Sequence, residues 1–150
     1  HAVNILQVAQ EIEQKKVKFS EEAHAGLEVM IAALIEIINN ATLAFIHNDV
    51  KLAAKVEPLE QVIDRLRDKL KEAHVRRLTN GECTIELGFI FSDLITNIER
   101  VSDHCSNIAI AMIELDKDAY DTHGYVIDLK EQRSHNFDAV YAQFAEKYKI

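Results

Sequence analysis

Glu99 and Asp103 stand four residues apart in the stretch Asn97-Ile98-Glu99-Arg100-Val101-Ser102-Asp103-His104-Cys105-Ser106-Asn107-Ile108. That stretch lies inside a long apolar-periodic segment and reads as mid-helix. The spacing then puts both carboxylates on one helical face, one turn apart, with Asn107 continuing the row. Glu60 and Asp64 repeat the spacing on a second predicted helix. If the two helices are neighbours, four carboxylates converge on one patch. The chemistry of such a patch is cation binding: hard divalent or trivalent ions accept carboxylate oxygens, and several carboxylates can bridge more than one ion. A bound cation also cancels the mutual repulsion of the acids.

Helical geometry sets where the acids lie. With Ile98 at the centre of its apolar stripe, Glu99 and Asp103 fall roughly 100° and 140° away, and Asn107 near 180°. On the other helix, centred near Ile63, Glu60 and Asp64 fall at roughly 60–100°. Both pairs are therefore expected beside the apolar seam, at the edge of an interhelical groove, and not buried in it. The plainer alternative is a row of solvated acids. The chain has 25 acidic residues, so such pairs arise by chance, and a like-charged pair on an exposed helix costs only about 0.2–0.5 kcal/mol. The setting favours a site: Arg100 sits between the acids, and Asn97 and Asn107 flank them.

Other chemistry is weaker. His104 is about 100° from Asp103 and reads as a flanking group. Glu21 and His24 form a single Glu-x-x-His, whereas the helical di-iron architecture needs two; they read as a helix-start acid and a surface or partly buried histidine. His47, His74, His123 and His135 lack coordinating neighbours in sequence. Cys105 falls on the core stripe and reads as a small hydrophobe. Cys83 and Cys105 show no metal or redox spacing, and free thiols are the default. Arg65, Arg67, Arg76 and Arg77 read as a solvated basic face. No glycine-rich nucleotide loop is present.

The elements that must position the acids follow from composition and period. The chain has 150 residues, 48% of them hydrophobic, with one Pro and four Gly. So little punctuation suits long helices and excludes a many-stranded sheet. The net charge of −8 argues against a nucleic-acid partner. The apolar run Ala25 to Ile46 contains Glu28, Glu36, Asn39 and Asn40, which argues against a membrane span, and the chain reads as soluble. Helices are expected over about 2–17, from a cap at Ser20 to about Asn48, from Asp49 to Leu78 with a kink or restart at Pro58, from a cap at Thr84 to about 115, and over about 129–148. Asn80-Gly81 should stop the third. The second, apolar nearly all round, should be the most buried. Residues 117–124 read as an acidic loop and Tyr125-Val126-Ile127 as a short extended piece. The result is an all-α, up-down antiparallel helical bundle. The chain starts without a cap inside a helical pattern, which is expected of a piece of something longer.

His1-Ala2-Val3-Asn4-Ile5 echoes His104-Cys105-Ser106-Asn107-Ile108 as His-x-x-Asn-Ile, a repeat about 100 residues apart that points to duplicated bundles. Here the chain resembles the PhoU family. Asn97 through His104 with Asn107-Ile108 look like its signature, and Glu60-x-x-x-Asp64 like the partner motif. Lys69 through Leu78, Asn80-Gly81-Glu82-Cys83 and Phe89-Ile90-Phe91-Ser92-Asp93 are similar to the PhoU-like cytoplasmic domain at the C-terminus of sodium/phosphate cotransporter-family proteins. The resemblance implies tandem three-helix bundles. Residues 1–17 would be the last helix of a truncated first repeat, 18–117 a three-helix repeat, and 118–150 a loop and a helix packed on it. It further implies metal clusters (Fe, Zn, Mn or Ni) on Glu60, Asp64, Glu99 and Asp103. The implied role is non-enzymatic: cytoplasmic regulation of phosphate transport through a membrane transporter or its signalling partners, with tethering through upstream sequence and homo-oligomerisation both compatible. A carboxylate-bundle metalloenzyme and a purely structural helical adaptor are the competing expectations.

Overall fold

The computed structural model describes the backbone of residues 1–118 and 125–149, and the side chains of 1–116 and 136–149. Among the described residues there are six helices: α1 (Ala2–Gln14), α2 (Glu21–His47), α3 (Val50–Ala53), α4 (Val56–Thr79), α5 (Ile85–Asp118) and α6 (Tyr125–Lys147). The all-α expectation holds. Tyr125-Val126-Ile127, expected as extended, begins α6 instead. The expected loop at 117–124 is helical through Asp118, and the rest of it lies outside the described residues. So do the side chains of His123 and His135.

The three caps expected from sequence are present, whereas α1 and α4 start without a side-chain cap. Ser20 Oγ accepts from Ala23 N, Asp49 Oδ1 from Leu52 N and Thr84 Oγ1 from Leu87 N, satisfying donors a helix leaves open in its first turn. The restart at Pro58 is also present: the single turn α3 closes at Ala53, α4 opens at Val56, and Pro58 sits in the first turn of α4, where its missing N–H costs nothing. The stops share one device. Lys16, Asn48 and Gly81 adopt left-handed backbone, with φ of 49°, 49° and 72°. After each, the next amide donates five residues back: Val17 to Ile12 O, Asp49 to Ala44 O and Glu82 to Arg77 O, all at 2.9 Å. This is the Schellman closure. It ends α1 at Gln14, three residues short of expectation, so that Val17 and Phe19 turn back onto the core.

α2, α4 and α5 form the central bundle. Glu22 meets Arg77 across α2 and α4, and Arg67 meets Glu99 while His74 stacks on Phe91 across α4 and α5. Both pairings run antiparallel. α1 lies antiparallel along α5, with Lys15 on Glu86 at one end and His1 on Asn97 at the other. The repeated His-x-x-Asn-Ile motifs face each other there: the rings of His1 and His104 are 5.4 Å apart, and His104 points to α1, not to the acids. α6 covers α4, with Tyr141 accepting from Arg65 and Lys147 pairing with Glu36 of α2. The core is aliphatic, with Met30, Ile37, Leu59, Ile63, Ile95, Ile98 and Phe91 essentially without solvent exposure.

α2 departs from its expected burial. Ala33, Leu34 and Ile37 are in the core, but Ile31, Ile35, Ile38, Leu43, Phe45 and Ile46 are exposed. By length and composition α2 is the one described helix apolar enough to cross a membrane; in this fold it packs on α4 and α5. Cys105 is buried and free, as expected.

His74 is a core histidine. Its Nδ1 is 3.7 Å from Cys83 Sγ, its Nε2 has no hydrogen-bond partner among the described residues, and the bare Cα of Gly88 lets α5 approach it. Burial lowers its pKa below the ordinary histidine value, and Arg77 lowers it further. The unfolded chain therefore binds the extra proton first. Stability falls as pH drops from about 6.5 towards the lowered folded pKa and is unaffected by this group above that window. His74→Phe should therefore lose less stability than the parent between about pH 7.5 and about pH 5.5 in urea unfolding; parallel losses in the two proteins would contradict this.

Candidate metal centre

The acids meet where α4 crosses α5. α4 presents Glu57, Glu60, Asp64 and Arg67 along one face, and α5 presents Glu99, Asp103 and Ser106 towards them. Small residues allow the approach: Ser102 is wholly buried, its Oγ donating to Glu99 O at 2.8 Å, and Ser106 Oγ donates to Glu57. Glu60, Asp64 and Glu99 each offer a carboxylate oxygen within 4.8 Å of the others. Asp103 stands outside that trio, half-exposed, with Arg100 Nη1 at 3.7 Å.

Two placements differ from the sequence expectation. Glu99 is only 7% exposed, not at the rim. α5 is packed by α1, α2 and α4 at once, so its buried arc is wider than one stripe, and Asn97, Ile98 and Glu99 are buried in succession. Arg67 is not part of a solvated basic face. Its side chain is 19% exposed, and Nη1 reaches Asp64 at 2.6 Å and Glu99 at 3.1 Å while Nη2 holds Asp68 at 2.8 Å. Its spacing carried the signal, since i+3 from Asp64 and i+7 from Glu60 place it on their face. Glu57 was missed in the same way: it is i−3 from Glu60.

The electrostatics are those of crowded anions leaving water. Burial pushes the Glu60 carboxyl up to about 7, and the charges of Glu57, Asp64, Asp103 and Glu99 add to the push. Four carboxylates act on one group, and Arg67 is the cation inserted among them. An all-oxygen donor set around an excess of negative charge suits a hard cation. The residues therefore fit a metal: Glu60, Asp64 and Glu99 are placed to hold it directly, with Asp103 and Glu57 adjacent. Arg67 occupies the same charge niche.

A core of three long helices, α2, α4 and α5, with a carboxylate cluster across one crossing defines an all-α helical-bundle domain. The model for the PhoU domain matches residues 27–112. The chain belongs to the PhoU family. It is 27% identical over 113 residues to the phosphate-specific transport system accessory protein PhoU homolog 1 of Thermotoga maritima, covering 75% of this chain and 48% of that protein. The chain thus spans about half the length of the curated relative it matches. No solved structure matches it.

Proposed function

We propose that this domain is a non-enzymatic, metal-responsive regulator of phosphate transport. It would act from the cytoplasmic side through contact with a membrane transport domain or a phosphate-signalling protein. The observation that carries the reading is the Glu60–Asp64–Glu99 trio across the α4–α5 crossing in a chain of the PhoU family. A relative is named as an accessory protein of a phosphate-specific transport system, which supports the phosphate link.

A bound cation supplies charge neutralisation and a tie between α4 and α5. The chain's own residues do the rest. Glu60, Asp64 and Glu99 provide the oxygens. Arg67 is the resident counter-charge that competes for Asp64 and Glu99. Ser102 and Ser106, being small, keep α4 and α5 close enough for acids on both to share one ion. A change in occupancy is thereby a change in how firmly two core helices are joined, which is the kind of local charge event that biases a contact surface elsewhere.

The test is phosphate uptake in cells lacking the full-length protein, complemented with the parent or with Glu60, Asp64, Glu99 and Asp103 all changed to Ala. The expected result is regulated uptake with the parent and uptake matching the deletion strain with the variant. Uptake that is identical with and without the parent protein would overturn the proposal.

A further inference from the structure

A second charged feature lies farther along α4 and has the opposite sign. A cleft of about 540 Å³ opens between α2 and α4 beside the end of α6. Lys69, Arg76, Arg77 and Lys149 line it against Glu22 and Glu72, a balance of four positive to two negative side chains in a chain of net charge −8. Its floor is apolar, set by Leu70 lying against the bare Cα of Gly26, where a Cβ would come within 2.3 Å of Leu70 Cδ2.

The basic wall was expected to be solvated, and Arg77 is not: its side chain is 4% exposed. Its guanidinium lies 5.6 Å from the centre of the Phe91 ring, a cation–π contact that fixes it. Nη1 donates to Glu22 Oε2 at 3.0 Å, and the buried Nη2 has no partner among the described residues. Arg76 Nη2 donates to Glu22 Oε1 at 3.0 Å, so two guanidinium groups share one carboxylate. Lys149 pairs with Glu146, outside the cleft lining. A buried cation with an unused donor carries a desolvation cost that one exposed carboxylate offsets only in part. Two planar donor forks set side by side match the oxygens of a phosphoryl group better than a lone carboxylate does.

We propose that this cleft binds a phosphorylated small molecule. Its phosphoryl oxygens take the donors of Arg76, Arg77 and Lys149 in competition with Glu22, and its uncharged body lies on the Gly26–Leu70 floor. The volume suits such a ligand, since small-molecule clefts run from about 300 to about 1,000 Å³, and exceeds what a free phosphate fills. The proposal rests on different residues from the carboxylate site and goes beyond the phosphate-transport reading.

The test is calorimetric titration of the chelator-treated protein with ATP and, separately, with inorganic phosphate, at low and high salt. ATP should bind at one equivalent. Binding should weaken about tenfold or more in the Arg76→Ala/Lys149→Ala variant, whose changes fall on exposed side chains. It should weaken with salt and tighten in Glu22→Gln, which keeps the shape and removes the competing charge. Three results would overturn the proposal: no saturable binding of ATP, equal binding by parent and double variant, or binding of inorganic phosphate with none of ATP, which would leave the cleft to the free anion.

Discussion

Arg67→Ala lowers the unfolding free energy of the metal-free protein by about 2–4 kcal/mol, read as a shift in urea midpoint, and a divalent cation recovers most of that loss. The reasoning starts from what Arg67 holds. Its Nη1 is 2.6 Å from Asp64 and 3.1 Å from Glu99, and Glu99 has almost no water of its own. Removing one partner of a buried pair leaves the other charge uncompensated, which costs about 3–5 kcal/mol in fully buried cases. Arg67 keeps some exposure and gives up its own desolvation cost when deleted, so the figure is set somewhat lower. Arg100 offers little relief, lying 3.9 Å from Glu99 with its own side chain largely in solvent. Neutralising the acids by an ion should replace what the guanidinium did, because a ligand that binds only the folded state adds about 2.7 kcal/mol at a hundredfold excess over its Kd. The parent gains less from the ion, since Arg67 must yield Asp64 and Glu99 to it. A variant as stable as the parent without metal, or one whose deficit is unchanged by metal, would show that Arg67 and a cation do not share a niche.

Local signals carried much of the fold. Ser20, Asp49 and Thr84 announce three helix starts because a short oxygen-bearing side chain before an apolar period has one obvious task. Pro58 marks the restart, and Asn80-Gly81 a stop. The end of α1 was not legible: Lys16 takes the left-handed conformation without being Gly or Asn, and only the return of Val17 and Phe19 to the core repays it. The exposure of Ile31, Ile35 and Phe45 was hidden for a related reason, since an apolar helix gives no hint of which face its neighbours leave uncovered.

The acid spacing pointed to the crossing of α4 and α5, and the geometry sorted its members. Glu60, Asp64 and Glu99 converge, while Asp103 stands one turn beyond. Burial was misjudged because one stripe per helix was assumed for α5, a helix packed by α1, α2, α3 and α4. Arg67 and Arg77 were both read as solvated, yet each is held inside by a partner distant in sequence, Glu99 and Phe91. Sequence spacing within one helix cannot display such partners.

The quadruple change of Glu60, Asp64, Glu99 and Asp103 to Ala has the largest expected effect, because it removes every oxygen of the trio and its nearest neighbour. Glu57 and Asp68 remain, but neither belongs to the trio, and Glu57 is engaged by Ser106. Arg67 then loses Asp64 and Glu99 and keeps Asp68, so the excess negative charge that favoured a metal ion at the crossing is gone. The fold should survive, since the core of Ile63, Ile95 and Ile98 is untouched and the mutual repulsion that raises Glu60 is gone. Within the set, loss of Glu99 or Asp64 should weaken metal binding more than loss of Asp103, which lies outside the trio.

The most direct measurement is elemental analysis of protein purified without a metal-affinity step, parent beside quadruple variant, with circular dichroism confirming that both are helical. Stoichiometric Fe, Zn, Mn or Ni in the parent and background metal in the variant is the predicted result. Background metal in both, or equal metal in both, would contradict the assignment and leave the acids at the α4–α5 crossing as a cluster neutralised by Arg67 alone.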